Sequence, residues 1–445
     1  MSEATTDHPG TPWQWRALIA VGVAALGLLA WLLSDTIGPK GRAFCGVLCF
    51  LGVAAAFSSD LRNVRLRLVG VGIGLQLALM GLVNTPAGYR FFEHVGQLID
   101  KFLGFSMEGA EFVFGKLADI GTMSEVLGPA DGFIFAFRAL PTIIFISAFF
   151  AVLYHLGVMQ KVVGAMAFVM RRTMGTGGAE SLSASANVFM GQTEAPLLVR
   201  PYIKRMTQSQ LLALMVGGMA TVSGGLLVVY AGFGADKVAL LTTSLMAAPA
   251  GLYVAKILLP DPEGTTDPTR ERPEEGKEEE NSPTGVIDAA AEGAGNGLKL
   301  ALNVAAMLIV FIAFIAMVNA ILEPTGWTLE RLLGRVFSPV ALLLGVDMAD
   351  VPKVGELLGI KLVVNELVAF EALKDGGLAD RSRVLATFAL TGFANFSSIG
   401  IQIAGIGAMA PERRGELAQL GLRALLGGFL ATLINAAIAG VFLAG

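Results

Sequence analysis

Residues 180–205, ESLSASANVFMGQTEAPLLVRPYIKR, carry the clearest structural signal in this sequence. It is mostly apolar and flanked by charges, yet it carries a carboxylate, Glu194, near its middle. Each half is too short to cross a bilayer alone, because a spanning helix needs about 20 residues. A helical hairpin that dips into the membrane and returns explains both the length and the polar centre. Residues 352–377, PKVGELLGIKLVVNELVAFEALKDGG, have the same pattern around Glu366 and predict a second hairpin.

The segments after the two hairpins repeat one order of elements. A polar, glycine-rich break, ATVSGG (220–225), interrupts the helix after the first hairpin, and FANFSSIG (393–400) interrupts the helix after the second. An unbroken helix follows each time, so the predicted pairs are 209–231 with 237–258, and 383–408 with 416–443. Inverted repeats with interrupted helices at matching positions are typical of a transporter whose substrate site lies near the bilayer midplane.

The composition is that of a membrane protein. Of its 445 residues, 54% are hydrophobic and only 15% are charged, whereas a soluble protein has about 25% charged residues. The placement of lysine and arginine predicts a cytoplasmic N-terminus and an outside C-terminus, so that the two hairpins enter from opposite faces. We predict an all-α polytopic membrane protein with two opposed re-entrant hairpins and about nine transmembrane helices, at 16–34, 42–57, 66–83, 132–158, 209–231, 237–258, 298–323, 383–408 and 416–443.

The predicted organisation is an inverted-repeat transport domain on a scaffold. The repeats are 159–258 and 350–445, and each holds one hairpin, one broken helix and one unbroken helix. The segment 84–130 mixes charged with apolar residues, which predicts helices lying in the membrane interface. The other parts are a cytoplasmic N-terminal tail at 1–15, scaffold helices at 16–158, a charged cytoplasmic linker at 259–285, and a scaffold helix with an interfacial segment at 286–345.

Charge and metal-binding residues argue against several functions. A formal net charge of −4 gives no reason to expect a nucleic-acid partner. The two cysteines, Cys45 and Cys49, lie in an apolar run without a nearby histidine, which favours small buried side chains over a metal or redox pair. The three histidines do not cluster, so zinc chemistry has no support.

The two central glutamates are the first candidates for a ligand site. A carboxylate at the bilayer centre costs a few kcal/mol or more, so Glu194 and Glu366 need partners or water. The alternative is that they are protonated or bonded to neighbouring backbone. Amides and hydroxyls near them are able to hold a polyhydroxylated heterocycle; they are Gln192, Thr193, Asn395, Ser397, Ser398 and Gln402.

Aromatic residues and backbone oxygens complete this candidate site. Phe393 and Phe396 supply surface for packing against a planar ring. The breaks expose backbone carbonyls, which are able to ligate a small hard cation together with the side chains of Asn187, Thr193 and Thr221. These residues by themselves indicate a transporter for a small polar solute.

At these motifs the chain strongly resembles the concentrative nucleoside transporter family. The similarity runs from about residue 40 to the end of the chain. The matching stretches are GQTEAPLLVRPYI (191–203), ATVSGG (220–225), VVNELVAFEAL (363–373), GFANFSSIGIQIAGIGAMAPERR (392–414) and ALLGGFLATLINAAIAG (424–440). The second hairpin departs from the usual family pattern at Leu367 and Phe370, which leaves the fine selectivity open.

The resemblance implies a homotrimer in the cell inner membrane, with a mobile transport domain that contains both hairpins. It implies that the base of the nucleoside contacts Gln192, Thr193, Glu194 and Leu226. It implies that the ribose is held by Glu366, Asn395 and Ser398, with Phe393 packing nearby. A sodium site in such proteins matches Asn187, Met190 (backbone), Thr193, Thr221 and Val222 (backbone).

The predicted function is therefore nucleoside import by sodium-coupled symport with alternating access. One alternative is proton coupling, with Glu194 or Glu366 as the titrating group. A remote alternative is an intramembrane hydrolase that uses the two carboxylates, and a passive channel or a nutrient receptor is also open. The sequence does not rank purine against pyrimidine nucleosides, and it does not fix the ion stoichiometry.

Overall fold

The computed structural model describes residues 10–128, 134–262, 265, 267, 283–374 and 377–443, and this part is helical without a strand. In chain order the helices are α1 Trp13–Leu32, α2 Ser34–Ala56, α3 Leu66–Val83, α4 Pro86–Phe114, α5 Ile120–Leu127, α6 Phe135–His155, α7 Val158–Met174, α8 Gly178–Ala186, α9 Arg200–Ile203, α10 Gln208–Ala220, α11 Gly224–Gly232, α12 Lys237–Leu258, α13 Val286–Leu322, α14 Leu329–Leu343, α15 Val351–Val363, α16 Glu366–Lys374, α17 Asp380–Leu390, α18 Phe396–Met409 and α19 Arg414–Phe442. The predicted all-α class is confirmed.

Eight helices of the described part are long and apolar enough to cross a membrane. They correspond to eight of the nine predicted spans, with α10 and α11 taken together as the broken span at 209–231. The ninth predicted span, 383–408, is also interrupted, because α17 and α18 are separated at residues 391–395. The span predicted at 42–57 starts earlier than expected, since α2 begins at Ser34 and continues through a kink at Gly38, whose φ of 62° favours glycine.

Each predicted hairpin is a pair of short helical arms around a bend. In the first hairpin α8 enters, residues 187–194 form the tip, and the return arm is a 3₁₀ turn, Ala195–Val199, followed by α9. In the second hairpin α15 enters and α16 returns, with the bend at Val364 and Asn365. The first return arm is therefore less regular than a simple helix–turn–helix unit.

Some predicted segments fall partly outside the described residues. These are the tail at 1–15, of which 1–9 are outside, the interfacial segment at 84–130, and the second hairpin at 375–376. Most of the linker predicted at 259–285 is also outside. The described part of the interfacial segment contains two helices, α4 with 29 residues and α5 with 8 residues.

Burial divides the helices into a core and a periphery. Helices α10, α12 and α19 are mostly buried and pack on one another. By contrast, α1 and α13 leave apolar side chains such as Leu18 and Ile309 exposed. An apolar exposed face is the expected surface of a helix in contact with lipid.

The two helix breaks meet in the middle of this core. The Phe393 backbone N–H donates to the Thr221 carbonyl oxygen at 3.1 Å. Gly392 has a φ of 138°, and a Cβ at this position would lie 3.0 Å from the Ala220 carbonyl oxygen. Glycine is therefore required for the close approach of the two breaks.

Helices α6 and α13 pack closely through small residues. The buried residues of α13 recur every four positions, at Ala289, Gly293, Gly297 and Ala301. A Cβ on Gly293 would lie 2.7 Å from the Ala148 Cα, so the two backbones are in contact there. Small residues spaced in this way allow helices to approach closely within a membrane.

We expect Gly293→Ala to destabilise the protein, because the added methyl group forces α6 and α13 apart. Overpacking of this kind costs about 1–3 kcal/mol. Gly295→Ala is the matched control, since a Cβ at Gly295 meets nothing within 4 Å and alanine favours the helix by up to about 1 kcal/mol. Thermal unfolding of the purified protein in detergent measures both, and equal midpoints for the two variants would contradict the packing account.

Candidate functional site

A cavity of about 340 Å³ lies where the two hairpins meet the two breaks. The tip of the first hairpin, the bend of the second, α11 and α18 form its wall, and α13 closes one side. The structure brings together in this cavity all eight residues predicted to bind substrate: Gln192, Thr193, Glu194, Leu226, Glu366, Phe393, Asn395 and Ser398. Residues as far as 206 positions apart along the chain, Gln192 and Ser398, therefore belong to one site.

Glu366 is the buried carboxylate of the cavity, with 5% of its surface exposed. It is the first residue of α16, and the positive end of a helix dipole stabilises a carboxylate there. The Tyr230 hydroxyl donates to Oε1 at 3.0 Å, and the Asn395 amide donates to Oε2 at 2.9 Å. The Tyr230 ring stacks on Phe370, with 4.3 Å between centroids. Both carboxylate oxygens are thus held in a fixed orientation.

Asn395 links this carboxylate to the start of α18. Its Oδ1 accepts from the Ser398 backbone N–H at 2.9 Å and from the Ser397 hydroxyl at 2.7 Å, while its amide nitrogen binds Glu366. This is the arrangement of an N-cap residue, which explains why an asparagine follows the break. The Asn395 side chain therefore has a set position in the cavity wall.

The tip of the first hairpin is tied to α18 by a chain of amides. The Gln192 amide nitrogen donates to the Ser398 hydroxyl at 3.1 Å. The Gln402 amide nitrogen donates to Gln192 Oε1 at 3.1 Å and to the Met215 carbonyl at 3.0 Å. Gln402 was predicted to lie among the polar groups around the solute. It is fully buried and lies behind Gln192, outside the cavity wall.

Glu194 differs from Glu366 although both are central in their hairpins. It is exposed at the tip, and its Oε2 accepts from the Gly191 backbone N–H at 3.0 Å. This contact to neighbouring backbone is one of the alternatives considered from the sequence. Because Glu194 is reached by solvent, it is not a buried charge in this conformation.

The predicted cation ligands surround the end of α8 and the first break. Asn187 is the C-cap of α8 and is 1% exposed, and both polar atoms of its amide have no hydrogen-bond partner within the described residues. A Cβ on Gly217 would lie 3.2 Å from Asn187 Nδ2. The Thr221 hydroxyl donates to the Gly217 carbonyl at 2.9 Å, so Gly217 connects these two candidates.

The other three cation candidates are Val222, Met190 and Thr193. Val222 is fully buried beside Thr221, whereas Met190 is half-buried with its N–H bonded to the Ala186 carbonyl. Thr193 lies in the cavity wall with its methyl group against Gly405. The part of the chain that the structure describes holds no cluster of three His, Cys, Asp or Glu side chains suited to a metal. The candidate ligand atoms are uncharged amide, hydroxyl and carbonyl oxygens, which are able to coordinate a hard monovalent cation.

The cavity also has lining residues that the sequence did not identify. Asn365 lies beside Glu366 at the bend of the second hairpin, and its side chain accepts from the Val368 N–H at 2.9 Å. Helix α13, which we assigned to the scaffold, contributes Leu300, Asn303, Val304 and Met307. The sequence signal for α13 was weak, because the helix carries three asparagines and only Asn303 lines the cavity.

Three family profiles match the chain over most of its length. The profile described as "Na+ dependent nucleoside transporter N-terminus" matches residues 45–117. That described as "Nucleoside recognition" matches 136–237, and "Na+ dependent nucleoside transporter C-terminus" matches 239–440.

Individual proteins match the chain as well. An uncharacterized transporter of Haemophilus influenzae is 42% identical, over 89% of this chain and 96% of that protein. Sodium/nucleoside cotransporter 1 of Rattus norvegicus is 39% identical, over 96% of this chain and 68% of the rat protein. The solved structure of CNTnw in an inward-facing substrate-bound state has a TM-score of 0.87 at 40% identity, and the match covers 90% of this chain and 97% of CNTnw.

We expect Tyr230→Phe to destabilise the protein while the ring stacking on Phe370 is retained. The lost hydroxyl leaves a buried carboxylate oxygen without its donor, and a hydrogen bond to a charged group contributes about 1.5–3 kcal/mol. Tyr154→Phe is the matched control, because the buried Tyr154 hydroxyl has no partner within the described residues. Thermal unfolding should show a lower midpoint for Tyr230→Phe alone; an equal loss in both variants would contradict this role of Tyr230.

Proposed function

This chain belongs to the family of Na+-dependent nucleoside transporters, and we propose that it imports nucleosides by symport with sodium ions. As a multi-pass membrane transporter it is not an enzyme, so the intramembrane hydrolase alternative is wrong. The observation that carries the proposal is the cavity in which both hairpins and both breaks meet. A site shared by two inverted repeats is the usual place of a transporter's substrate.

The two ends of the cavity suit the two parts of a nucleoside. Glu366 and Asn395 hold the ribose. The carboxylate accepts hydrogen bonds from sugar hydroxyls, and the Asn395 amide donates its second N–H, because its Oδ1 already accepts from Ser397 and Ser398. Gln192, Thr193 and Glu194 bind the polar edge of the base. The base packs on the apolar wall, which includes Leu226 and Phe393. The side chain of Ser398, already bonded to Gln192, connects the two halves.

Sodium binds at the first break in this proposal. The ligands are the side chains of Asn187, Thr193 and Thr221, with the backbone carbonyls of Met190 and Val222. The support is the Asn187 amide, a buried polar group that otherwise has no partner within the described residues and would cost about 1–3 kcal/mol if left so. Because Thr193 lines the cavity, an ion that binds it also orders the hairpin tip that contacts the nucleoside.

Transport then follows alternating access. Sodium completes the nucleoside site, and the loaded transport domain, formed by residues 159–258 and 350–445, moves against the scaffold to face the cytoplasm. One sodium ion that crosses a 100 mV potential supplies about 2.3 kcal/mol. At about 1.4 kcal/mol per decade this supports roughly fiftyfold accumulation. We further propose that the protein is a homotrimer in the cell inner membrane.

Uptake by the purified protein in liposomes tests the function. An inward sodium gradient should drive accumulation of radiolabelled uridine or adenosine, and sodium-free controls with or without a proton gradient should not. Uptake that needs only a proton gradient would replace sodium by proton coupling. No uptake of either nucleoside by folded protein would contradict the substrate assignment.

Glu366→Gln should reduce uridine uptake at least tenfold, because the carboxylate is replaced by a neutral amide that accepts weaker hydrogen bonds. A loss of about 1.4 kcal/mol of binding corresponds to a factor of ten. Glu371→Gln in the same hairpin is the control, since Glu371 is exposed and lies outside the cavity. Equal uptake in the two variants would show that Glu366 does not bind the substrate.

Asn187→Leu should raise the sodium concentration for half-maximal uptake at least tenfold, because it removes an oxygen ligand at the first break. Asn187→Asp keeps oxygen at this position and is expected to retain sodium dependence. Initial uptake rates measured over a sodium series distinguish the two variants. An unchanged sodium dependence in Asn187→Leu would place the ion elsewhere.

A further inference from the structure

Lys361 is a buried lysine that the transport mechanism above does not use. It lies in the last turn of α15, and none of its surface is exposed. Its Nζ donates to the Ala389 carbonyl at 2.7 Å and to the Thr432 hydroxyl at 3.0 Å, and it lies 5.6 Å from the centroid of the Phe429 ring. Within the described residues no carboxylate approaches this ammonium group to 4.0 Å.

Packing alone does not explain a charge at this position. A buried ammonium group without a paired carboxylate costs several kcal/mol, even with relaxation of its surroundings. Methionine has similar length and would fill the same space without that cost. The carbonyl and hydroxyl oxygens around Lys361 Nζ are instead the ligands that a free monovalent cation would use.

The ammonium group binds the position of the second repeat that matches Gly217, the neighbour of the cation candidates Asn187 and Thr221 in the first repeat. Gly217 lies 23 residues after Glu194, and Ala389 lies 23 residues after Glu366. Each is in the last turn of the helix before a break. The last carbonyl groups of a helix lack intrahelical partners and carry a partial negative charge. Asn187 lies against Gly217, and Lys361 binds Ala389.

The two partners also come from matching places in the hairpins. Asn187 is the C-cap of α8, the entering arm of the first hairpin. Lys361 lies in the last turn of α15, the entering arm of the second hairpin. In both repeats, therefore, the end of the entering arm meets the carbonyl end of a broken helix.

We propose that Lys361 is a tethered cation, whose ammonium group takes in the second repeat the place that sodium takes in the first. The comparison rests on the sodium site of the proposed function. The covalently attached ammonium group holds the second hairpin against α17, and it supplies a positive charge in the same hairpin as the buried Glu366. The second repeat thus needs no dissolved ion, and the carrier couples one sodium ion to each nucleoside.

Chemical rescue of Lys361→Ala tests this assignment without reference to transport. The truncated side chain leaves the Ala389 and Thr432 oxygens in place, so methylammonium should raise the thermal unfolding midpoint of this variant by at least about 2 °C over choline at equal ionic strength. The wild type and Lys361→Met, whose side chain fills the space, should show no such difference. No cation-specific shift in Lys361→Ala would overturn the proposal.

The sodium dependence of uptake is a second test. The wild type should give a Hill coefficient for sodium of about 1, and a value near 2 would overturn the tethered-cation assignment, whether or not Lys361→Ala folds. Lys361→Met should lose at least tenfold in uptake without rescue by any cation, and wild-type uptake in this variant would also contradict the assignment. Uptake that does not depend on the sodium concentration would refute sodium as the coupling ion. The unfolding experiment would still test whether the Lys361 ammonium group occupies a cation site.

Discussion

Two interrupted helices must satisfy their backbone hydrogen bonds inside a membrane protein, and this requirement constrains the whole fold. At each break the helix leaves N–H and carbonyl groups without partners, and hydrocarbon offers none. The breaks solve part of this problem together, because the Phe393 N–H donates to the Thr221 carbonyl and Gly392 lets the chains come into contact. The cavity of the candidate site lies where the two breaks meet.

The two repeats use these break ends in different ways. In the second repeat the polar groups are already engaged: Tyr230 and Asn395 hold the Glu366 carboxylate, and Lys361 binds the end of α17. In the first repeat Glu194 is exposed and the Asn187 amide has no partner within the described residues. The second repeat is therefore preorganised, which reduces the cost of binding. The first repeat has the unsatisfied Asn187 amide, which a bound ion is able to satisfy, and this asymmetry suits the proposed symport.

Local sequence signals predicted much of this arrangement. Polar and glycine-rich residues inside apolar segments predicted the hairpins and the breaks. All eight candidate substrate residues line one cavity. Contacts between distant segments were not predictable, since no local pattern reports them. The hydroxyl of Tyr230 reaches Glu366 across 136 positions of sequence, and α13 enters the cavity wall only through tertiary packing. The role of Gln402 was misjudged for the same reason, because its depth behind Gln192 depends on how α18 packs against α10.

In the proposed mechanism a sodium ion at the first break completes the nucleoside cavity. This step is tested by calorimetric titration of uridine into the purified protein, in sodium and in N-methylglucamine at equal ionic strength. Because binding linkage is reciprocal, we expect a uridine Kd at least tenfold lower in sodium, which corresponds to a coupling free energy of about 1.4 kcal/mol. Equal values of Kd in the two cations would contradict it, since the ion would then have no part in forming the site.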